Sequence, residues 1–195
     1  LKKSETSQLW IETGYELFAY EGPNSIVIEK MARQLGKNKS GFYHHFGDHD
    51  LFFEELIKHH YQVIKHFCQE AAHLQHFDPD YLNLLVKYKT AAFVQMQMRR
   101  HMNISLFKEA FNTVRSQTEK EILPLWSAYI KLPDNPGLAS ALWNIIRDVF
   151  FMRLTTKDLS KEFLRELVGE FKLVVESVRR MARNSASRGP TDILF

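Results

Sequence analysis

Between Ile26 and Phe46 the chain reads IVIEKMARQLGKNKSGFYHHF, and this segment restricts the fold more than any other. Ile28, Met31, Ala32 and Leu35 recur at helical spacing and supply one inward face. Gly36 follows where that helix must stop and turn, a position that favours a left-handed backbone and so a residue without Cβ. Ala32, one helical turn earlier, is small enough for a second helix to cross closely. In that second helix Phe42 and Phe46 share one side and bury together, which leaves Lys39, Tyr43 and His44 facing outward. Two short helices, a tight turn and a basic outer side make a helix-turn-helix, the element that enters the DNA major groove.

The rest of the chain reads as helices. Leu9, Trp10, Thr13, Leu17 and Phe18 give a helix near Ser4 to Tyr20, broken by Gly22-Pro23. After Gly47, Asp48 is placed to cap a long helix carrying Leu51, Phe52, Leu56, Ile57, Tyr61, Ile64 and Phe67. Beyond Phe77-Asp78-Pro79, the spacing predicts one helix from Tyr81 to Arg100 that is apolar on two sides, and so sandwiched or bordering a cavity. Another runs from about Ile104 to Tyr129, kinked or ended at Pro124. Asn135 then Pro136 signals a start for an apolar helix, and Asp158 or Ser160 starts the last one. The tail after Arg183, rich in Ser, Gly and Pro, reads as loose. With no strand pattern, the expectation is an all-α fold of about nine helices: a helix-turn-helix unit over 1–47, then a ligand-binding and dimerisation domain over 48–195. Three short helices are marginal alone, so the first unit is expected to lean on the fourth helix.

Composition narrows the function classes. The apolar share of 45% and the charged share of 25% are those of an ordinary soluble globular chain. No apolar run is long enough to cross a bilayer, no signal-peptide core is present, and a lone Cys68 forms no internal disulfide, so a reducing cytoplasm is expected. The chain begins at Leu1 without an initiator methionine, from which further N-terminal residues are expected. A net charge of +3 does not argue for nucleic acid by itself. Between Asn24 and Gly47, however, Glu29 faces Lys30, Arg33, Lys37 and Lys39, so the positive charge is local and coincides with the motif.

The first part of the chain, over about residues 5 to 56, resembles the TetR family of bacterial transcriptional regulators. The residues that carry the resemblance are Phe18 and Gly22, Met31-Ala32 at the family's Ile-Ala pair, Gly36, Phe42-Tyr43, His45-Phe46 and Leu51-Phe52. Departures are Val27 at a capping Thr or Ser, Lys37-Asn38 at Val-Ser, Ser40-Gly41 at a Gly-Thr type pair, and His49 at a lysine that commonly meets phosphate. The first departure predicts that the motif's first helix begins at Asn24 or Ser25. A glycine inside a helix costs about 1 kcal/mol, so a short, dynamic recognition helix is expected. His49 would hold the DNA backbone less firmly than lysine and in a pH-sensitive way. What the resemblance implies is a homodimer on a near-palindromic double-stranded operator, usually a repressor, released when a small molecule, expected to be apolar, fills its C-terminal pocket. Lys37, Asn38, Lys39, Ser40, Tyr43 and His44 then fall on the turn and recognition helix. Lys39 and Asn38 would address base edges, and Tyr43 and Lys37 phosphates.

For the pocket, the candidates are Tyr88, Phe93, Met96, Met102, Phe107, Phe111, Trp126 and Trp143, with Arg147 a rare charge in an apolar helix. Most such residues at helical spacing are ordinary core. The last two helices carry more apolar surface than one layer needs, which makes Leu138, Ala141, Leu142, Ile145, Leu164, Val168, Phe171, Val175 and Val178 candidates for a four-helix dimer interface. A metal sensor is disfavoured despite nine histidines: His59, His66 and His73 repeat every seven residues, roughly 10 Å apart along a helix, too far to share an ion. No cofactor motif is present, and no nucleophile-base pair, phosphate-cradling loop or paired carboxylates point to an enzyme. A dimeric interaction protein without DNA binding is the runner-up.

Overall fold

The end of the first helix shows how local chemistry sets the element order. Gly22 and Pro23 stop it, and the Ser25 hydroxyl donates back to the Leu17 and Gly22 carbonyls at 3.1 and 2.7 Å. In the computed structural model, which describes residues 5–187, nine α-helices and no strand occur among the described residues. They are α1 (Glu5–Glu21), α2 (Ile28–Leu35), α3 (Lys39–Phe46), α4 (His49–Ala71), α5 (Leu82–Lys87), α6 (Lys89–Arg100), α7 (Ser105–Tyr129), α8 (Pro136–Arg153) and α9 (Lys161–Ser187).

Several boundaries differ from the sequence reading. Pro23–Ser25 is a separate 3-10 turn, and α2 starts after Val27, which offers no side-chain cap. Ser25 cannot cap α2 because its hydroxyl already closes α1. The expected single helix from Tyr81 to Arg100 is two, divided at Tyr88 (φ −98°, ψ 28°). Tyr88 is fixed from outside: its hydroxyl donates to Glu70 of α4 at 2.7 Å and its ring packs edge-on to Phe67. Pro124 neither ends nor divides α7, which continues to Tyr129 with Ile122 and Trp126 fully buried on either side of it. Ser160, rather than Asp158, caps α9 by accepting from the Phe163 N–H at 3.1 Å. α9 also continues through Ser187, past the point where the tail was expected to loosen; residues 188–195 lie outside the described residues. Asp48 and Asn135 cap α4 and α8, accepting from Leu51 and Leu138 N–H groups at 2.8 and 3.0 Å.

One apolar core runs from the N-terminal helices into the rest of the molecule. Trp10, Met31, Phe42, Phe46 and Phe52 join α1, α2, α3 and the start of α4. α1 turns Ile11, Tyr15 and Ala19 inward with Trp10 and Phe18, while Leu9 is exposed. Gly14 lets α1 sit against α4: a Cβ there would lie 2.6 Å from the Phe52 ring. Phe18, Phe53 and Phe107 then tie α1, α4 and α7 together, with ring centroids 5.2–6.1 Å apart. α6 is buried from Ala91 to Met98 because it passes between α1 on one side and α4 and α7 on the other. Among the described residues, no helix is long and apolar enough to cross a membrane.

Candidate functional site

The α2–α3 turn is built around Gly36, whose φ of 62° and ψ of 31° are left-handed. The Lys37 N–H returns to the Ala32 carbonyl at 2.9 Å and closes the end of α2. A Cβ at Gly36 would meet nothing within 4 Å, so glycine is required by backbone conformation and not by space. α3 opens with Asn38 as its cap, the side-chain oxygen accepting from the Gly41 N–H at 2.9 Å and the Ser40 hydroxyl at 2.8 Å. This compensates for the glycine inside α3, because its orphan N–H is satisfied. Phe42 and Phe46 anchor the helix inward.

Lys37, Asn38, Lys39, Ser40, Tyr43 and His44 are all exposed on this turn and helix. Their partners change the roles expected of two of them. Asn38 is held as a cap, so its amide is not free to turn to a base edge. Lys39 pairs with Glu29 of α2 at 2.8 Å, and each holds the other's charged form: Lys39 is raised and Glu29 lowered, first by their hydrogen bond. Lys30 pairs similarly with Glu21. Among the described residues, Lys30 and Lys39 make ion pairs on this surface and Arg33 and Lys37 make none within 4 Å, although Glu29 lies in the field of Arg33. Arg33 was not among the site candidates, although its place on the outer side of α2 was readable from helical spacing. His49 stands apart from the exposed group. It is half-buried, its Nε2 donates to the Ile26 carbonyl at 2.7 Å, and its ring meets Phe53 edge-on. The imidazole therefore secures the entry to α2 from α4, and its Nε2 is already engaged.

Replacing Asn38 with alanine removes the only side-chain cap of α3. A loss of about 1 kcal/mol is expected, read as a lower urea midpoint with an unchanged slope.

A second feature lies between α4, α5, α6, α7, α8 and α9: a cavity of about 120 Å³ with a predominantly apolar wall. Of the residues singled out for a pocket, Tyr88, Phe111, Trp143 and Arg147 line it. Phe93, Met96, Met102, Phe107 and Trp126 do not. Phe93 packs on Tyr20 of α1, Phe107 on Phe18 and Phe53, and Trp126 on Phe77 and Phe171, its Nε1 donating to the Ala139 carbonyl at 3.0 Å. Met96 is fully buried in the core and Met102 packs partly buried at its margin. The wall also holds Phe77, Tyr81, Gln95 and Arg115, which sequence spacing passed over. Phe77 and Tyr81 come from the irregular turn Phe77–Tyr81 between α4 and α5, where helical periodicity gives no signal.

Gln95 connects this cavity to the N-terminal unit. Its amide donates to Nε2 of the fully buried His60 at 2.7 Å, which places the ring proton on Nδ1, 2.8 Å from the Tyr15 oxygen of α1. Burial, with a smaller contribution from His59, pushes the His60 pKa down to about 3, so the ring is neutral. α6 is also tied to α1 by Gln97, which donates to the Ala19 carbonyl at 3.3 Å.

On the far side, Leu138, Ile145 and Met152 form an exposed apolar stripe along α8, with Met152 74% exposed, and Ala141 lies beside it. On α9, Leu173, Val174, Val178 and Met181 are exposed as well. Leu142 and Phe171 are half-buried, whereas Leu164, Val168 and Val175 face the chain's own core, and Leu164 and Val168 line the cavity. The last three are corrections to the expected interface set, because α9 buries one face in its own chain and only the other is open. Met152, Leu173, Val174 and Met181 are exposed apolar side chains outside that expected set. Among the described residues, no group of three or more His, Cys, Asp or Glu side chains is placed to hold a metal ion. Cys68 is half-buried, and burial, with Glu121 nearby, raises its thiol pKa.

No protein-family model matches the chain, and no curated protein matches it. Among solved structures, it is similar to a candidate transcriptional regulator from Saccharomonospora viridis determined in complex with choline. The two are 17% identical, and the match has a TM-score of 0.63 and covers 87% of this chain and 96% of the other. At that identity the likeness establishes a common all-helical fold.

Proposed function

We propose that the protein is a ligand-responsive, DNA-binding transcriptional regulator that acts as a homodimer, most simply a repressor released from a near-palindromic operator. The observation that carries this reading is the capped, anchored α3 and the turn before it, which present Lys37, Lys39, Tyr43 and His44 to solvent beside the exposed Arg33. The fold shared with a candidate regulator supports it, and that neighbour's complex with choline supports a small-molecule effector.

In this reading the exposed stripes of α8 and α9 pair with those of a second copy, giving two recognition helices about 34 Å apart, one turn of DNA. A ligand in the cavity would displace α6 at Gln95. That helix is bonded to α1 through His60 and Gln97, so its movement would alter the spacing of the recognition helices. Couplings of about 1–3 kcal/mol are usual for such linkage.

A mobility-shift titration on DNA from the protein's own upstream region tests the proposal. The expected result is a selective shift, two chains per site, weakening steeply with salt. Lys37→Ala should weaken binding on all sequences and reduce the salt slope by about 1. A salt-insensitive shift, or none, would count against it and favour the dimeric interaction protein. The capping of Asn38 and the Lys39–Glu29 pair are the observations on that side.

A further inference from the structure

The cavity's charge points to the kind of molecule it takes; this deepens the effector reading above and rests on it. Two guanidinium groups, Arg115 and Arg147, line the wall and no carboxylate does. The Arg147 side chain is 11% exposed, and its buried Nε and Nη1 have no hydrogen-bond partner. Its nearest acids stand off, Glu119 at 3.5 Å and Asp148 at 3.9 Å. Both are already engaged: Asp148 accepts from Arg99 at 3.0 Å, and Glu119 accepts from Ser140 at 3.2 Å and lies 3.8 Å from Arg115.

The local network therefore sets Arg99, Arg115 and Arg147 against Glu119 and Asp148, one positive charge in excess. Burial lowers the Arg147 pKa, with Arg115 adding to the effect and the two acids opposing it. A guanidinium nonetheless stays charged at neutral pH. A buried cation with donors left over is costly unless something accepts from it. Tyr81 offers a second donor: its hydroxyl has no hydrogen-bond partner among the described residues and lies within the field of Arg147. The other tyrosine of the wall, Tyr88, points its hydroxyl to Glu70, which is also bound by Lys87.

We propose that the cavity binds a small monoanionic amphiphile, a carboxylate on a short aliphatic or aryl body, with the carboxylate accepting from Arg147 and the body against Phe77, Tyr81, Trp143 and Phe150. A guanidinium matches a carboxylate with paired donors, and one negative charge cancels the local excess. A quaternary ammonium such as choline would add a third cation to a wall that already holds Arg115 and Arg147 and has no acid to receive it. The two proteins of this fold would then select ligands of opposite charge.

Calorimetric titration of the full chain with phenylacetate, hexanoate, phenylacetamide and choline tests this. Both carboxylates should bind, with phenylacetamide weaker by about 10–100-fold, the range for losing a charged hydrogen bond. Choline should give no heat. Arg147→Gln should bring phenylacetate down to the level of the amide and leave the amide unchanged, while Arg147→Lys should keep the preference at lower affinity. If Arg147→Gln does not fold, the wild-type contrast of acid and amide decides alone. Choline or the amide binding as tightly as phenylacetate overturns the inference and leaves the cavity as an effector site. Absence of binding by all four at millimolar concentration overturns it too, without touching DNA binding. Carboxylate binding by a chain that fails the mobility shift would uphold the inference and remove the regulator reading.

Discussion

Phe42→Ala is expected to destabilise the protein by about 3–5 kcal/mol, the range for truncating a buried phenylalanine. The ring is fully buried, with centroids 5.4 Å from Trp10, 5.1 Å from Phe46 and 5.0 Å from Phe52. Removing it leaves a void at the meeting point of α1, α3 and α4, and rigid aromatic neighbours close it poorly. α3 is only eight residues long and contains Gly41, so its own propensity does not hold it. Phe46 would be its one remaining buried anchor. Against a typical total of about 5–15 kcal/mol, the change should consume a large share of the stability. Urea unfolding would show it as a midpoint shift. A loss below about 1 kcal/mol would mean that α3 does not pack as described.

The second large effect is on pH. His60 is neutral in the folded protein, with its pKa pushed down to about 3 by burial, while in the unfolded chain it takes its ordinary value of 6.5. Between these values the unfolded chain holds the extra proton, so stability falls as pH falls. The contribution is fully present above about pH 6.5 and is lost down to about pH 3, with a limiting slope of about 1.4 kcal/mol per pH unit. From pH 7 to pH 5 the expected loss from this residue is about 2 kcal/mol. Carboxylates such as Glu70 and Asp80, held below their usual range by hydrogen bonds to the Lys87 ammonium and the His76 N–H respectively, also lose their stabilising contribution in acid. The comparison is therefore between wild type and His60→Gln, by denaturation at both pH values. The variant is less stable at pH 7 for want of the ring, and its dependence on pH should be flatter by that amount. Equal dependence in the two proteins would show that His60 is not held neutral.

How much was legible in the residues differs by element. Helical spacing and the glycine at 36 were enough for the inward faces of α2 and α3 and the turn between them, which depend on neighbours within a few positions, but not for the start of α2, expected at Asn24 or Ser25 and found after Val27. The cap at Asn135 was equally local. The break at Tyr88 was not legible, because it follows from Glu70 and Phe67 on another helix. Nor was the inward turn of His49, which depends on a carbonyl 23 residues away. The cavity wall divides in the same way. Trp143 and Arg147 were visible as oddities of an apolar helix, whereas Phe77 and Tyr81 reach the wall from an irregular turn. For α9 the composition indicated a helix with apolar surface to spare, but which side faces its own chain was decided by packing.

The amino-acid order by itself determined an all-helical chain and an exposed basic turn-and-helix at residues 37–44, because helix periodicity, capping and turn glycine are short-range effects. Tertiary structure alone decided which polar groups are already committed, Asn38 to Gly41 and Lys39 to Glu29, and which donors are left without a hydrogen bond, above all Nε and Nη1 of Arg147. The reason is physical: a hydrogen bond or a buried charge is settled by atoms within a few ångströms in space, and those atoms come from distant parts of the chain.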